Sequence, residues 1–215
     1  MQKIALITDS ACDLTLDEIR ENNVNLLPLR IIYSGQEYRD RIDISPSEVY
    51  SNLDKEVPTT SLPSSQTIEE ILCKLENEDY THVIVISISS GLSGSFNVIR
   101  LALEEHPKLI SYIYDTKILA YPQGEIVLET AKLIKESKSF NEIIEELPKI
   151  RKRVIGYFTI NTLEYLKKGG RIGRVASTLG EMLNIKPIIT TDENGIYYNV
   201  AKVRDRNKSI SSLTE

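Results

Sequence analysis

Val83-Ile84-Val85-Ile86-Ser87-Ile88-Ser89-Ser90-Gly91-Leu92-Ser93-Gly94-Ser95-Phe96-Asn97 decides the reading of the fold. Its first four residues are all apolar and β-branched. A strand apolar on both faces is what a parallel sheet covered by helices requires. The run then breaks into Ser89–Ser95, where four hydroxyls and two glycines fall within seven residues. That is more than a turn needs. Beyond it Val98, Leu101 and Ala102 follow at helix spacing. The order strand, polar turn, helix puts the turn at the carboxyl end of a central strand, where open α/β sheets bind ligands. A helix start adds free N–H groups that suit a phosphate or a carboxylate.

The flanking sequence repeats the alternation. Lys3 to Thr8 reads as a first strand, followed by a helix from about Thr15 with Thr15-x-x-Glu18 as a capping box. Asp9 and Ser10 therefore stand at the same kind of strand end as Ser89–Ser95. Leu26 to Tyr33 is a second apolar run, which Pro28 marks as an edge or irregular strand. Ser34-Gly35-Gln36 turns into a short strand at Glu37-Tyr38, and Ser45, Pro46 and Glu48 open a helix. Pro58-Thr59-Thr60-Ser61-Leu62-Pro63-Ser64-Ser65 is a stiffened, hydroxyl-rich loop before a helix over about 67–77. Leu109 to Tyr114 predicts another strand. Helices follow over about 121–137 and 140–152, the second opened by Ser139-x-x-Glu142. Residues 1–153 thus predict an α/β domain with a parallel sheet covered by helices on both sides.

A boundary is expected at 153/154, after Arg151-Lys152-Arg153. Residues 154–215 predict a strand over Val154–Ile160, a short helix over Asn161–Lys168 stopped by Gly169-Gly170, and a further helix from Arg171 to about Leu183. A hairpin follows, Pro187–Thr191 with Ile196–Val203, turning at Asp192-Glu193-Asn194-Gly195. The last residues only start a helix. About 60 residues are few for such a core, so this second α+β domain is expected to be incomplete at its carboxyl end.

Composition narrows the class. The 215 residues are 41% hydrophobic and 27% charged, ordinary for a soluble globular protein. No apolar run approaches the roughly 20 residues of a membrane span, and MQKIALITDS does not read as a signal peptide. The expected location is cytoplasmic, with only transient membrane contact if any. Cys12 and Cys73 fit no metal-ligand spacing, so no metal is expected. Net charge is −5, split into −11 over residues 1–150 and +6 over 151–215. The basic end could meet an acidic partner or anionic ligand. Its charges are scattered through an acidic chain, so nucleic acid is not an expected partner.

Three chemistries are open. Gly91-Leu92-Ser93-Gly94-Ser95 approaches the nucleophile elbow G-x-S-x-G, which would make Ser93 the nucleophile of an esterase or acyl-transfer enzyme. Such a serine needs a base. His106 lies about 20 Å along the helix and His82 about 20 Å back along the strand, so neither reaches it. Phosphate-loop and dinucleotide fingerprints are absent from the sequence. A non-catalytic regulator holding a small anion is the remaining reading from residues alone.

Taken together, ITDSACDL, TTSLPS, VISISSGLSGSFN, Asp115-Thr116 and LEYLKKGGRIG with LGEMLNIKPI resemble the DegV family, over nearly all of the chain. The resemblance implies two α/β domains with a long-chain fatty acid buried between them. It implies a fatty-acid-binding subunit of a bacterial fatty acid kinase, with no cofactor and no chemistry of its own. A partner kinase would phosphorylate the bound carboxylate for phospholipid synthesis. Carried to matching positions, Thr60, Ser61, Ser93 and Gly94 would hold the carboxylate, Ile172 would line the tunnel and Arg204 would face the kinase. Members supply a late histidine near the carboxylate, which this sequence lacks. Roughly 14 buried methylenes at about 0.8 kcal/mol each would give about 11 kcal/mol before association costs. That suggests a chain of about C14–C18.

Overall fold

The structure, a computed structural model, describes residues 2–178, 186–203 and 211. The chain divides into two compact units, Met1–Ile155 and Gly156–Glu215.

In the first unit β1 (Ile4–Asp9) leads through a 3-10 turn (Ser10–Cys12) and α1 (Leu16–Glu21) to β2 (Val24–Leu27). The hairpin β3 (Arg30–Tyr33) and β4 (Gln36–Arg39), helix α2 (Pro46–Asn52) and β5 (Thr59–Ser61) follow. Then come α3 (Ser65–Asn77), β6 (His82–Ser87), α4 (Ser95–Glu104), β7 (Ile110–Asp115), α5 (Tyr121–Lys135) and α6 (Phe140–Arg153). The main sheet is parallel in the order β2-β1-β6-β7. β6 is buried along its whole length, as its β-branched run requires. Its alternation divides the core. Leu6, Ile84 and Ile86 pack with Ile126, Ile143 and Leu147 of α5 and α6, while Ala5, Ile7, Val83 and Val85 pack with Leu72, Leu75 and Ile99 of α3 and α4. Each fully buried aliphatic side chain stabilises the fold by about 1.5–3 kcal/mol.

Local signals fix the helix starts. Thr15, Ser45 and Ser139 each form the expected capping box, with Glu18, Glu48 and Glu142. Each such cap contributes about 1 kcal/mol. The expected single strand over Leu26–Tyr33 is instead two strands in two sheets. Pro28 cannot donate to a ladder, so the chain leaves the main sheet there and β3 starts a separate antiparallel sheet, β4-β3-β5. The hydroxyl-rich loop before α3 is likewise part strand: Thr59–Ser61 is the edge of that sheet.

In the second unit β8 (Phe158–Thr159), α7 (Glu164–Gly169), a 3-10 turn (Gly173–Thr178), β9 (Lys186–Thr191) and β10 (Tyr197–Val203) form an antiparallel sheet, β10-β9-β8, with its connections. The strand expected over Val154–Ile160 is reduced to two residues. Gly170, at φ 71°, ends α7 as a left-handed cap. The predicted hairpin is present, and Asp192 Oδ1 accepts from the N–H groups of Asn194 and Ile196, both at 2.9 Å. Gly173 has no room for a side chain: a Cβ there would stand 2.7 Å from Tyr197 O. The helix expected from Arg171 is a 3-10 turn as far as Thr178, and its remainder lies outside the described residues.

Candidate functional site at the sheet's switch point

The connection from β1 runs to β2 on one side, while β6 pairs on the other. The carboxyl ends of β1 and β6 therefore flank a topological switch point, where doubly wound sheets open a crevice. Asp9 and Ser10 end one strand, and Ser87, Ile88 and Ser89 end the other.

The floor of this crevice is a sealed polar network. Asp9, Ser10, Ser87, Ser89, Thr116 and Gln123 are all 0% exposed. Asp9 Oδ2 accepts from Ile88 N–H at 2.8 Å and Ser87 Oγ at 3.4 Å; its Oδ1 accepts from Ala11 N–H and Gln123 Nε2, both at 3.2 Å. Burial raises the Asp9 carboxyl above its ordinary value, only partly offset by these hydrogen bonds. Gln123 Nε2 also reaches Thr8 Oγ1 at 3.2 Å. Gly124, beside it on α5, lies against the 3-10 turn, where a Cβ would stand 2.6 Å from Cys12 O. Cys12 is fully buried and its thiol is pushed up to about 12, which marks a packing residue rather than a nucleophile.

Above the floor the turn is more open. Ser89 Oγ accepts from Gly91 N–H at 3.1 Å, and Leu92 and Ser93 N–H donate to Ser89 O, so a short hydrogen-bonded coil shapes the turn. Ser93 is half-buried; its Oγ lies 2.8 Å from Ser95 Oγ and accepts from Ser95 N–H at 3.2 Å. The N–H groups of Gly94 and Phe96, at the start of α4, have no protein partner among the described residues. Beside the turn, Asp115 accepts from Ser90 N–H at 3.1 Å and pairs with Lys117 at 2.7 Å, and Lys117 Nζ also donates to Ser90 Oγ at 2.9 Å. Burial pushes the Asp115 carboxyl up, but the bonds from Lys117 and Ser90 outweigh it, so it ends below its usual value.

The Thr59–Ser65 segment meets this turn. A Cβ on Gly94 would stand 3.6 Å from both Cδ atoms of Leu62, so the residues next to Ser61 and Ser93 are in packing range. Thr60, opposite Ile31, is exposed and makes no side-chain hydrogen bond among the described residues. Ser61 is held: its Oγ accepts from Arg30 Nη2 at 2.9 Å, and Arg30 Nε donates to Leu62 O at 2.8 Å. Ser64 is consumed as the cap of α3. A cavity of about 270 Å³ opens alongside, but Arg30, Glu37, Arg39 and Glu70 line it, a surface unsuited to an alkyl chain.

Ile172 lies in the second unit, partly buried just before its 3-10 turn. Arg204 lies outside the described residues. Both histidines are engaged elsewhere: His82 Nδ1 is 2.8 Å from Thr81 Oγ1, and His106 lies between Glu69 and Glu76. The hydroxyl partner of Ser93 is Ser95, not a histidine. Sequence reasoning missed Arg30, Gln123 and Lys117. A cation inside the apolar run LLPLRIIY was a usable signal for Arg30; a glutamine in an amphipathic helix carries none for Gln123.

A parallel sheet with a hydroxyl-lined switch-point crevice defines an α/β ligand-binding protein. A protein-family model described as an uncharacterised protein of the DegV family matches residues 3–215, and the chain belongs to that family. A DegV domain-containing protein of Clostridium perfringens is 56% identical over 213 residues, 99% of this chain and 76% of the relative. Among solved structures, a DegV family protein from Thermus thermophilus described by its fatty acid binding superposes with TM-score 0.89 at 32% identity, over 99% of this chain and 76% of that one. A stearic-acid-binding protein from Eubacterium ventriosum superposes with TM-score 0.84 at 29% identity, over 99% and 74%. No helix among the described residues is long and apolar enough to cross a membrane.

Proposed function

We propose that this protein binds a long-chain fatty acid, with its carboxylate held by Thr60, Ser61, Ser93 and Gly94. The observation that carries the reading is the approach of Leu62 to Gly94, which brings the two hydroxyl-bearing segments together at the carboxyl end of β6. The fatty acids bound by its relatives support the ligand class. The chemistry fits a carboxylate. Hydroxyls and the free amides of Gly94 and Phe96 can neutralise the headgroup without burying a counter-charge. Each charge-assisted hydrogen bond contributes about 1.5–3 kcal/mol. The Gly94 amide also stands at a helix start, where negative charge is favoured. Ser61 is fixed in advance by Arg30, which lowers the ordering cost on binding.

Ile172 contacts the acyl chain, and Arg204 contacts a partner kinase that phosphorylates the presented carboxylate, placing the protein in bacterial, cytoplasmic phospholipid metabolism. The chain itself acts as a carrier.

Denaturing extraction of the protein purified from cells, followed by mass spectrometry, tests the ligand. The expected result is a C14–C18 fatty acid near one equivalent, an estimate from the methylene arithmetic. An extract without acyl chains would count against the proposal. A covalent adduct between Ser93 and a serine-reactive fluorophosphonate would instead favour an esterase.

A further inference from the structure

Glu69, Cys73 and Glu76 lie on α3 at positions i, i+4 and i+7, and so share one helix face. His106, which follows α4, closes onto that face and is 5% exposed. Its Nδ1 stands 3.1 Å from Glu76 Oε1 and its Nε2 stands 3.2 Å from Glu69 Oε2. The other oxygen of Glu69 lies 3.3 Å from Cys73 Sγ. One ligand atom each from Glu69, Cys73 and His106 falls within 4.8 Å of the other two.

We propose that Glu69, Cys73 and His106 form a Zn2+ site, with Glu76 as its positioning residue. Bond lengths of about 2.0–2.3 Å to oxygen, nitrogen and sulfur give ligand–ligand edges of about 3.3–3.7 Å in a tetrahedron. The 3.2 and 3.3 Å spacings, made by different oxygens of Glu69, are already of this length, and the spread of up to 4.8 Å among the three ligand atoms closes by about 1 Å on binding. A histidine that donates its Nδ1 proton to a carboxylate presents a lone pair at Nε2, and here that lone pair faces a second carboxylate. A proton on Nε2 satisfies that carboxylate in the metal-free protein, and a metal ion can take the place of that proton. Glu76 then completes the carboxylate–histidine–metal arrangement that fixes ring orientation and tautomer. The mixed sulfur, nitrogen and oxygen set suits Zn2+ better than Mg2+ or Ca2+, which prefer oxygen alone. On binding, the Cys73 thiol releases its proton to solvent and the thiolate bonds the metal. Three protein ligands leave a fourth position for water.

Neither the spacing of the cysteines nor a paired motif in the sequence announces this set. It assembles from a helical repeat and a histidine some 30 residues away, at |i−j| of 30 from Glu76 and 37 from Glu69. It lies beyond the opposite end of α4 from Gly94. The ten residues of that helix span about 15 Å. The inference is therefore independent of the proposed carboxylate site.

The test uses the full chain, stripped with chelator and titrated with Co2+ as the spectroscopic probe. One equivalent should produce thiolate-to-cobalt charge-transfer absorption that Zn2+ displaces. The band should vanish in Cys73→Ser and His106→Gln. Binding should weaken by about 10–100-fold in Glu76→Gln, as for other outer partners of metal-bound histidines. Circular dichroism checks that each variant is folded. In wild type, Zn2+ should slow alkylation of Cys73 by iodoacetamide, and Cys73→Ser should keep the fatty-acid content of wild type. A wild-type protein with no such band, a band that survives Cys73→Ser, or an alkylation rate unchanged by Zn2+ would each overturn the site.

Discussion

At the end of β1 the Asp9 carboxyl is sealed and paired: it receives four hydrogen bonds and none of its surface is exposed. At the end of β6, a few residues on, Ser93 and Gly94 are open to solvent to differing degrees, and Thr60, two residues before the Leu62 that packs on Gly94, is exposed and makes no side-chain hydrogen bond among the described residues. The two edges of one crevice thus divide the work. The β1 edge fixes the shape, because a buried carboxylate with four donors tolerates only one geometry. The β6 edge keeps the Gly94 and Phe96 amides available and leaves the Ser93 hydroxyl half-exposed beside Ser95, because groups sealed from solvent could not receive a ligand.

Substitutions at the two edges should therefore separate stability from binding. The largest stability effect belongs to Asp9→Ala, which leaves the buried N–H of Ile88 and the partly buried N–H of Ala11 without their acceptor. Its cost should be about 3–5 kcal/mol in urea unfolding, with ligand lost alongside the fold. Next is Gly124→Ala, whose Cβ would collide with Cys12 O at 2.6 Å; a cost of about 1–3 kcal/mol should appear as a lower urea midpoint. Ser93→Ala removes the acceptor for Ser95 N–H and the hydroxyl contact with Ser95 Oγ, so it should cost about 1–2 kcal/mol while fatty-acid retention, read by extraction and mass spectrometry, falls sharply. A large stability loss with retained ligand in Ser93→Ala would reverse the assignment of the two edges.

The smallest effect is a pH dependence of opposite sign at Asp9 and Asp115. Asp115 is held below its usual value, so its contribution is present above the unfolded value and is lost as pH falls through the folded one. The stability gap between wild type and Asp115→Asn should shrink toward acid. Asp9 is raised, so its contribution is full below the unfolded value and lost as pH rises through the folded one. The gap to Asp9→Asn should shrink toward neutral pH instead. Urea midpoints from pH about 3 to 7 measure both, a span set by ordinary carboxyl values and the two shifts. Gaps moving in the same direction would contradict the contrast.

How far the sequence could be read follows the range of the forces involved. The β-branched run of β6 and the capping boxes at Thr15, Ser45 and Ser139 are local signals, and the structure has them where they were expected. The separate β4-β3-β5 sheet was not legible, because Pro28 shows that a strand breaks but not where the next one pairs. The hydroxyl-rich turn and loop were visible as composition, whereas their approach through Leu62 and Gly94 depends on residues 32 positions apart. Arg30 acts on Ser61 and Leu62 through tertiary contacts across a similar separation. Gln123 reaches Asp9 over a still longer one. Periodicity cannot report such pairings.

The most direct test of the headgroup assignment is 13C NMR of a fatty acid labelled at its carboxyl carbon and bound to the full chain. The account predicts one bound carboxyl resonance, shifted from that of the free acid, that moves again in Thr60→Val and is lost in Ser93→Ala while both proteins remain folded. A bound resonance identical in wild type and both variants would place the carboxylate elsewhere and contradict the account.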